Sequence, residues 1–216
     1  MKYKCLVFDH DDTVVNSTAT IHYPCFVEFC EKYRPDIRFS IEDFVRYNFE
    51  PGLLEFYHKI CNLTEDEMET QYAHWLSYTK DHRAKAVCGI REIMEKHREK
   101  GGIITVVSHS YGDNILKDYE VNGLPRPDMV FGFEQPRDEL KPSPVPVQKI
   151  MAEYKLSKKD VLVIDDLKPG YLMARAADVS FAAAGWSFDI PKNSAFLKEN
   201  ADYYCKSVAD LADIVL

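Results

Sequence analysis

Cys5-Leu6-Val7-Phe8-Asp9-His10-Asp11-Asp12-Thr13 joins an unbroken apolar run directly to three carboxylates. A short apolar run without polar alternation predicts a strand buried on both faces, as in a parallel sheet. The acids then stand at the C-terminal end of that strand, the edge where open α/β sheets bind their ligands. Like charges a few ångströms apart raise one another's pKa, and the simplest remedy is a compact cation of high charge density, which points to Mg²⁺.

Working outward, similar runs recur at Ile103-Ile104-Thr105-Val106-Val107, Met129-Val130-Phe131, Val161-Leu162-Val163-Ile164 and Phe181-Ala182-Ala183-Ala184. Between them lie segments of helical spacing, such as Val87, Ile90, Met94 and His97 ahead of Gly101-Gly102, and Val147, Ile150, Met151 and Tyr154 after Pro144 and Pro146. Strand and helix therefore alternate from about residue 86 onward, which predicts an α/β fold with a doubly wound parallel sheet, Rossmann-like in type. The stretch from Thr18 to Arg83 breaks that rhythm. It is rich in aromatic residues, has no convincing buried strand, and divides into amphipathic pieces near 19–33, 41–48, 51–61 and 64–82. Pro35, Pro51-Gly52 and the capping pattern Thr64-Glu65-Asp66-Glu67 punctuate it. The expected organisation is a core domain of residues 1–17 and 84–216 with a helical bundle, 18–83, inserted after the first strand. Its two crossings, near 14–18 and 82–86, should run side by side as a hinge.

Composition narrows the function. The 216 residues carry 35 Asp+Glu against 27 Lys+Arg, a net charge of −8. Nucleic-acid binding wants a basic face, so small-molecule chemistry is favoured. No stretch approaches the roughly 18 apolar residues of a membrane span, and Met1-Lys2-Tyr3-Lys4 leads into a run too short for a signal-peptide core, so the chain reads as cytoplasmic with no membrane partner. Cys5, Cys25, Cys30, Cys61, Cys88 and Cys205 contain no C-x-x-C pair and read as small buried hydrophobes. The chain is expected to act as a monomer or homodimer.

Taken strand by strand, the C-terminal tips offer Asp9, Asp11 and Thr13, then Ser108, then Lys141 ahead of a helix, then Asp165-Asp166. Parallel strands put all of these on one sheet edge. A hydroxyl and a lysine among carboxylates suit a phosphoryl group: Ser108 and backbone N–H groups bond its oxygens and Lys141 neutralises its charge. Mg²⁺ would take Asp9 and Asp165 or Asp166, with a backbone carbonyl and waters.

Asp9-x-Asp11-x-Thr13, Ser108, Lys141 and Asp165-Asp166, in this order, resemble the four motifs of the haloacid dehalogenase superfamily, and the inserted bundle is similar to its type-1 cap, as in phosphoglycolate phosphatases and β-phosphoglucomutase. The resemblance covers essentially the whole chain. It implies that Asp9 is a nucleophile forming an aspartyl-phosphate, that Asp11 is the general acid and then the base, and that Ser108 and Lys141 bind the transferring group. It also implies a backbone carbonyl of Asp11 as a metal ligand beside Asp9, Asp165 and Asp166. An acid two residues after the nucleophile favours esters, whose leaving alkoxide needs a proton, over haloacids, whose halide does not. The expected activity is Mg²⁺-dependent hydrolysis of a small phosphorylated metabolite, phosphoglycolate-like or sugar-phosphate-like. A phosphomutase is the alternative enzyme, and a receiver-like or non-catalytic phosphate-binding module is the alternative outside enzymes.

The sequence departs from the family at Asp12, where glycine is usual, at His10, and in the adjacent pair Asp165-Asp166. Asp12 is expected to be a solvated turn residue, and His10 to present its backbone more than its ring to the phosphate. Arg46, His22, Tyr23, Lys80, His82 and Arg83 are candidate specificity residues of the insert, although each fits a solvated or packing role more easily. Phe26, Phe29, Phe44, Phe56, Tyr57, Tyr72 and Trp75 should build the insert's core, with a minority on its underside.

Overall fold

The computed structural model describes residues 1–216. Strands β1 (Cys5–Phe8), β2 (Ile103–Val107), β3 (Met129–Phe131), β4 (Val161–Asp165), β5 (Ser180–Ala184) and β6 (Tyr203–Cys205) form one sheet in the order β3-β2-β1-β4-β5-β6. Every pairing is parallel. The five expected strands are present and a sixth, β6, extends the edge. Its Tyr203 and Tyr204 are half-buried, so it lacks the apolar run that marks the others.

The strands are buried on both faces because helices cover both. Leu6, Phe8, Ile104, Val106, Leu162 and Ile164 pack in one cluster, while Cys5, Val7, Val107, Val161, Val163 and Ala183 pack in the other. This is the two-residue alternation of a strand. Helices α5 (Ile90–Glu99), α6 (Gly112–Val121) and α10 (Val208–Val215) supply Ile90, Met94, Ile115 and Leu211 to the first layer. Helices α7 (Val145–Glu153), α8 (Lys168–Ala176) and α9 (Pro191–Asn200) supply Val147, Ile150, Met173 and Leu197 to the second. Helix α5 starts at Ile90, not at Val87, because Gly89 takes a left-handed φ of 89° at its N-cap.

Between β1 and α5 the chain forms a π-helical turn (Thr18–His22) and helices α1 (Tyr23–Tyr33), α2 (Ile41–Phe49), α3 (Leu53–Glu55) and α4 (Glu65–Asp81). They enclose a separate apolar cluster that includes Phe26, Phe29, Phe44, Phe56 and Tyr57. Ser40 with Asp43 and Thr64 with Glu67 form capping boxes that fix where α2 and α4 begin. The two crossings into this segment do run side by side: Asn16 N–H donates to Lys85 C=O at 2.9 Å and Val87 N–H to Val14 C=O at 2.9 Å. No helix is long and apolar enough to cross a membrane. Five cysteines are buried as expected, whereas Cys88 is exposed in the turn ahead of α5.

Candidate active site

The strand order reverses at β1, whose neighbours are β2 and β4. Phe8 stands opposite Val106 and Ile164, so Asp9, Ser108, Asp165 and Asp166 leave the sheet together at the switch point. Lys141 arrives from the loop before α7, and its ammonium is 2.6 Å from Asp9 Oδ1 and 2.7 Å from Asp165 Oδ2. All three side chains are at most 5% exposed. Asp9, Asp165 and Asp166 each offer one oxygen, all within 4.8 Å of one another.

One ammonium does not balance three carboxylates. Burial, against the opposing pull of Lys141, pushes Asp9 up to about 7. Burial and the neighbouring Asp165, Asp9 and Asp12 hold Asp166 well above the carboxylate range. A hard, oxygen-seeking divalent ion suits such a donor set, so the residues fit Mg²⁺. Asp165 is held firmly for that role, since Leu167 N–H donates to its Oδ1 at 2.8 Å and Gly170 of α8 leaves space for its carboxylate. A Cβ at Gly170 would fall 2.1 Å from Asp165 Oδ2.

Asp11 points away from this group. Its Oδ1 accepts from Ser17 Oγ at 2.7 Å and faces His22 Nε2 at 2.7 Å, while Oδ2 accepts from Ser110 Oγ at 2.7 Å and Ser108 Oγ at 3.3 Å. Burial disfavours its charge, yet His22 and these donors prevail and hold the carboxyl well below its usual range. His22 is in turn tied to α4, because Trp75 Nε1–H donates to His22 Nδ1 at 3.2 Å. An indole N–H donates only, so this contact requires an unprotonated Nδ1 and places the proton on Nε2, facing Asp11. Burial lowers the His22 pKa and Asp11 more than reverses that, leaving it raised; protonation and the Trp75 hydrogen bond therefore exclude each other.

The other sequence candidates divide. Thr13 is fully buried, with its hydroxyl 3.5 Å from Asp166 Oδ1. Asp12 is not a solvated turn residue: it is 5% exposed and left-handed at φ 57°, where aspartate is tolerated better than most residues. Its carboxylate accepts from Thr18 N–H at 3.2 Å, and its carbonyl from Ser187 Oγ at 2.6 Å. The His10 ring turns into the core toward Asp118, 3.2 Å away, which Arg83 of the hinge also meets at 3.4 Å. Of the six polar specificity candidates only His22 lines the cavity over the site. Phe44, Tyr57, Tyr72 and Trp75 line it too, while Phe26, Phe29 and Phe56 serve the insert's core alone. Sequence reasoning missed Ser110, although Ser108 and Ser110 at alternate positions after β2 share a side, and it missed His109. Burial and nearby Lys141 push His109 down to about 4, so its neutral ring donates from Nε2 to the Lys141 carbonyl at 3.1 Å.

The model of the haloacid dehalogenase-like hydrolases matches residues 6–184. The chain belongs to this family. Among the relatives of this haloacid dehalogenase-like hydrolase, pyrophosphatase PpaX of Halalkalibacterium halodurans is 22% identical over 216 residues, covering 100% of this chain and 98% of that protein. A Bacteroides fragilis protein assigned to the same family superposes with a TM-score of 0.81 at 21% identity, over 97% of this chain and 100% of its own. A variant of Rhodobacter sphaeroides CbbY, solved with xylulose 1,5-bisphosphate, superposes with a TM-score of 0.76 at 15% identity, over 97% of this chain and 96% of that one. At these identities the structural likeness concerns the fold.

Proposed function

We propose that the chain is a Mg²⁺-dependent phosphatase that hydrolyses a small phosphorylated metabolite through a phospho-Asp9 intermediate. The observation that carries this is the convergence of Asp9, Lys141, Asp165 and Ser108 at the switch point, with Asp11 beside them in a hydrogen-bond network that includes Ser108 and Ser110. The phosphatase and pyrophosphatase names of related proteins agree with it.

In this reading an Asp9 oxygen attacks phosphorus as the bond to the leaving oxygen breaks, and the leaving alkoxide takes a proton from Asp11. Water then attacks the phosphorus of phospho-Asp9, losing its proton to Asp11 and releasing phosphate. A covalent intermediate divides one hard displacement into two easier ones. Lys141 and Ser108 bind the equatorial oxygens, where charge spreads in both transition states. Mg²⁺, held by Asp9, Asp165, Asp166 and the Asp11 carbonyl, would neutralise charge on the transferring group. Asp11 as found, ionised and held by four donors, is set for the second half. In the first half it must carry a proton, so substrate entry has to loosen its contact with His22. In this reading the inserted helices shield the reacting groups from bulk water. Tyr72 of α4 meets the Tyr111 hydroxyl beside α6, and the Trp75 and Tyr111 rings lie 5.8 Å apart.

Phosphate release from a panel of phosphorylated metabolites, with Mg²⁺ and with EDTA, tests the proposal. Mg²⁺-dependent release that disappears in Asp9→Asn is expected. Full activity in Asp9→Asn overturns the assignment, and glucose 6-phosphate formed from β-glucose 1-phosphate in place of free phosphate would reveal a mutase.

A further inference from the structure

If Asp9, Ser108 and Lys141 bind the phosphoryl group, the wall opposite them meets the leaving group. That wall is built by the inserted helices, and its apolar surface comes from Val45 of α2, Leu53 and Leu54 of α3, and Met68 and Trp75 of α4. Its polar members include Asn48, Gln71, Glu65 and Glu69 beside His22, Tyr57 and Tyr72, and Gln71 is already committed, donating to the Tyr57 hydroxyl at 3.1 Å. No Lys or Arg from residues 18–83 lines the cavity. The cations nearest the phosphoryl site are engaged: Lys141 of the core lies between Asp9 and Asp165, and His22 of the π-helical turn faces Asp11. Arg137 remains, exposed at the rim on the short turn Arg137–Glu139, where solvent screens its charge.

We propose that the natural substrate is a phosphate monoester of an uncharged alcohol with an aromatic or similarly bulky apolar skeleton, and that a second anionic group on the leaving side is disfavoured. This rests on the phosphatase reading above. A glycolate carboxylate or a second phosphoryl group would have to leave water against Leu54 and Met68 with no Lys or Arg from that wall to pair it, whereas Glu65 and Glu69 are exposed and their charges screened. Burying an unpaired charge is unfavourable. The cavity, about 430 Å³, falls within the range of about 300–1,000 Å³ common for drug-sized ligands, and its apolar wall suits a ring. Among the metabolites expected from the sequence, this selects against phosphoglycolate, and it separates the chain from a pyrophosphatase.

The test is steady-state kinetics of the full chain with Mg²⁺ on benzyl phosphate, 2-phosphoglycolate and pyrophosphate. Benzyl phosphate releases an ordinary alkoxide, so an advantage over 2-phosphoglycolate cannot be put down to an easily expelled leaving group. Its kcat/KM is expected to exceed those of both anionic substrates by at least about tenfold. Glu69→Arg, an exposed change on α4, should raise the ratio of kcat/KM for 2-phosphoglycolate to that for benzyl phosphate by roughly tenfold. Equal or better turnover of 2-phosphoglycolate or pyrophosphate overturns the substrate class while leaving the phosphatase standing. If Arg137→Ala then abolishes that turnover, the rim arginine is the anion's partner. Folded protein that hydrolyses none of the three, nor any ester of the metabolite panel, overturns the phosphatase reading and the substrate class with it.

Discussion

Replacing Lys141 with methionine removes the one ammonium from a buried carboxylate group while keeping most of the side chain's volume. Its Nζ lies 2.6 Å from Asp9 and 2.7 Å from Asp165, and Asp166 contributes a third oxygen within 4.8 Å of the others. Breaking a buried ion pair by deleting one partner costs about 3–5 kcal/mol, because the other charge stays buried and uncompensated. For a chain of this size that lowers Tm by roughly 6–20 °C. The loss should depend on pH in a set direction. The fold raises Asp9 from 3.8 to about 7, so its protonated form favours folding; that contribution is complete below the unfolded value and disappears as pH rises through about 7. Without Lys141 the carboxyls rise further. Lys141→Met should therefore be most destabilised near pH 8 in EDTA and recover toward pH 5.5, and Mg²⁺ should restore part of the stability at pH 8 without restoring activity. Urea unfolding at the two pH values, with EDTA or Mg²⁺, measures this. A wild-type midpoint at pH 8 in EDTA, or a deficit that grows on acidification, would refute the charge balance drawn here.

Asp11→Asn keeps the side-chain shape but cannot carry the proton, so turnover of alkyl phosphates should fall by roughly 10²–10⁴, with a smaller loss for an aryl phosphate whose phenolate leaves unprotonated; kcat for the two ester classes decides it. Gly170→Ala drives a Cβ to within 2.1 Å of Asp165 Oδ2 and should weaken Mg²⁺ binding or activity by about 10–100-fold, read from the Mg²⁺ dependence of the rate. His97 is fully buried under Gly102 with neither ring nitrogen hydrogen-bonded, and burial lowers its pKa from 6.5. Its neutral ring therefore supports the fold above pH 6.5, and that support is lost as pH falls through the lowered value. On acidification from pH 7.5 to 5 the urea midpoint of His97→Leu should fall less, or rise more, than that of the wild type.

The sheet was legible because its central strands are buried on both faces and so appear as plain apolar runs. Strand β6 was not, since an edge strand of two half-buried tyrosines and Cys205 carries no such run. Asp9, Ser108, Lys141 and Asp165-Asp166 could be read from their place after successive strands, because parallel packing alone brings strand tips together. The network around Asp11 could not. His22 reaches it from the π-helical turn beyond the hinge, and Trp75 reaches His22 from α4, contacts fixed only by how the insert settles on the core. Asp12 was misread because a left-handed turn usually faces water, whereas Thr18 and Ser187 cover this one.

The most direct measurement is rapid acid quench of the enzyme during turnover of a phosphate ester, followed by mass spectrometry of the peptide that carries Asp9. A phosphoryl adduct on Asp9, formed at least as fast as phosphate is released and missing from Asp9→Asn, is predicted. Turnover at the full rate with Asp9 unmodified at every quench time would contradict its role as the nucleophile.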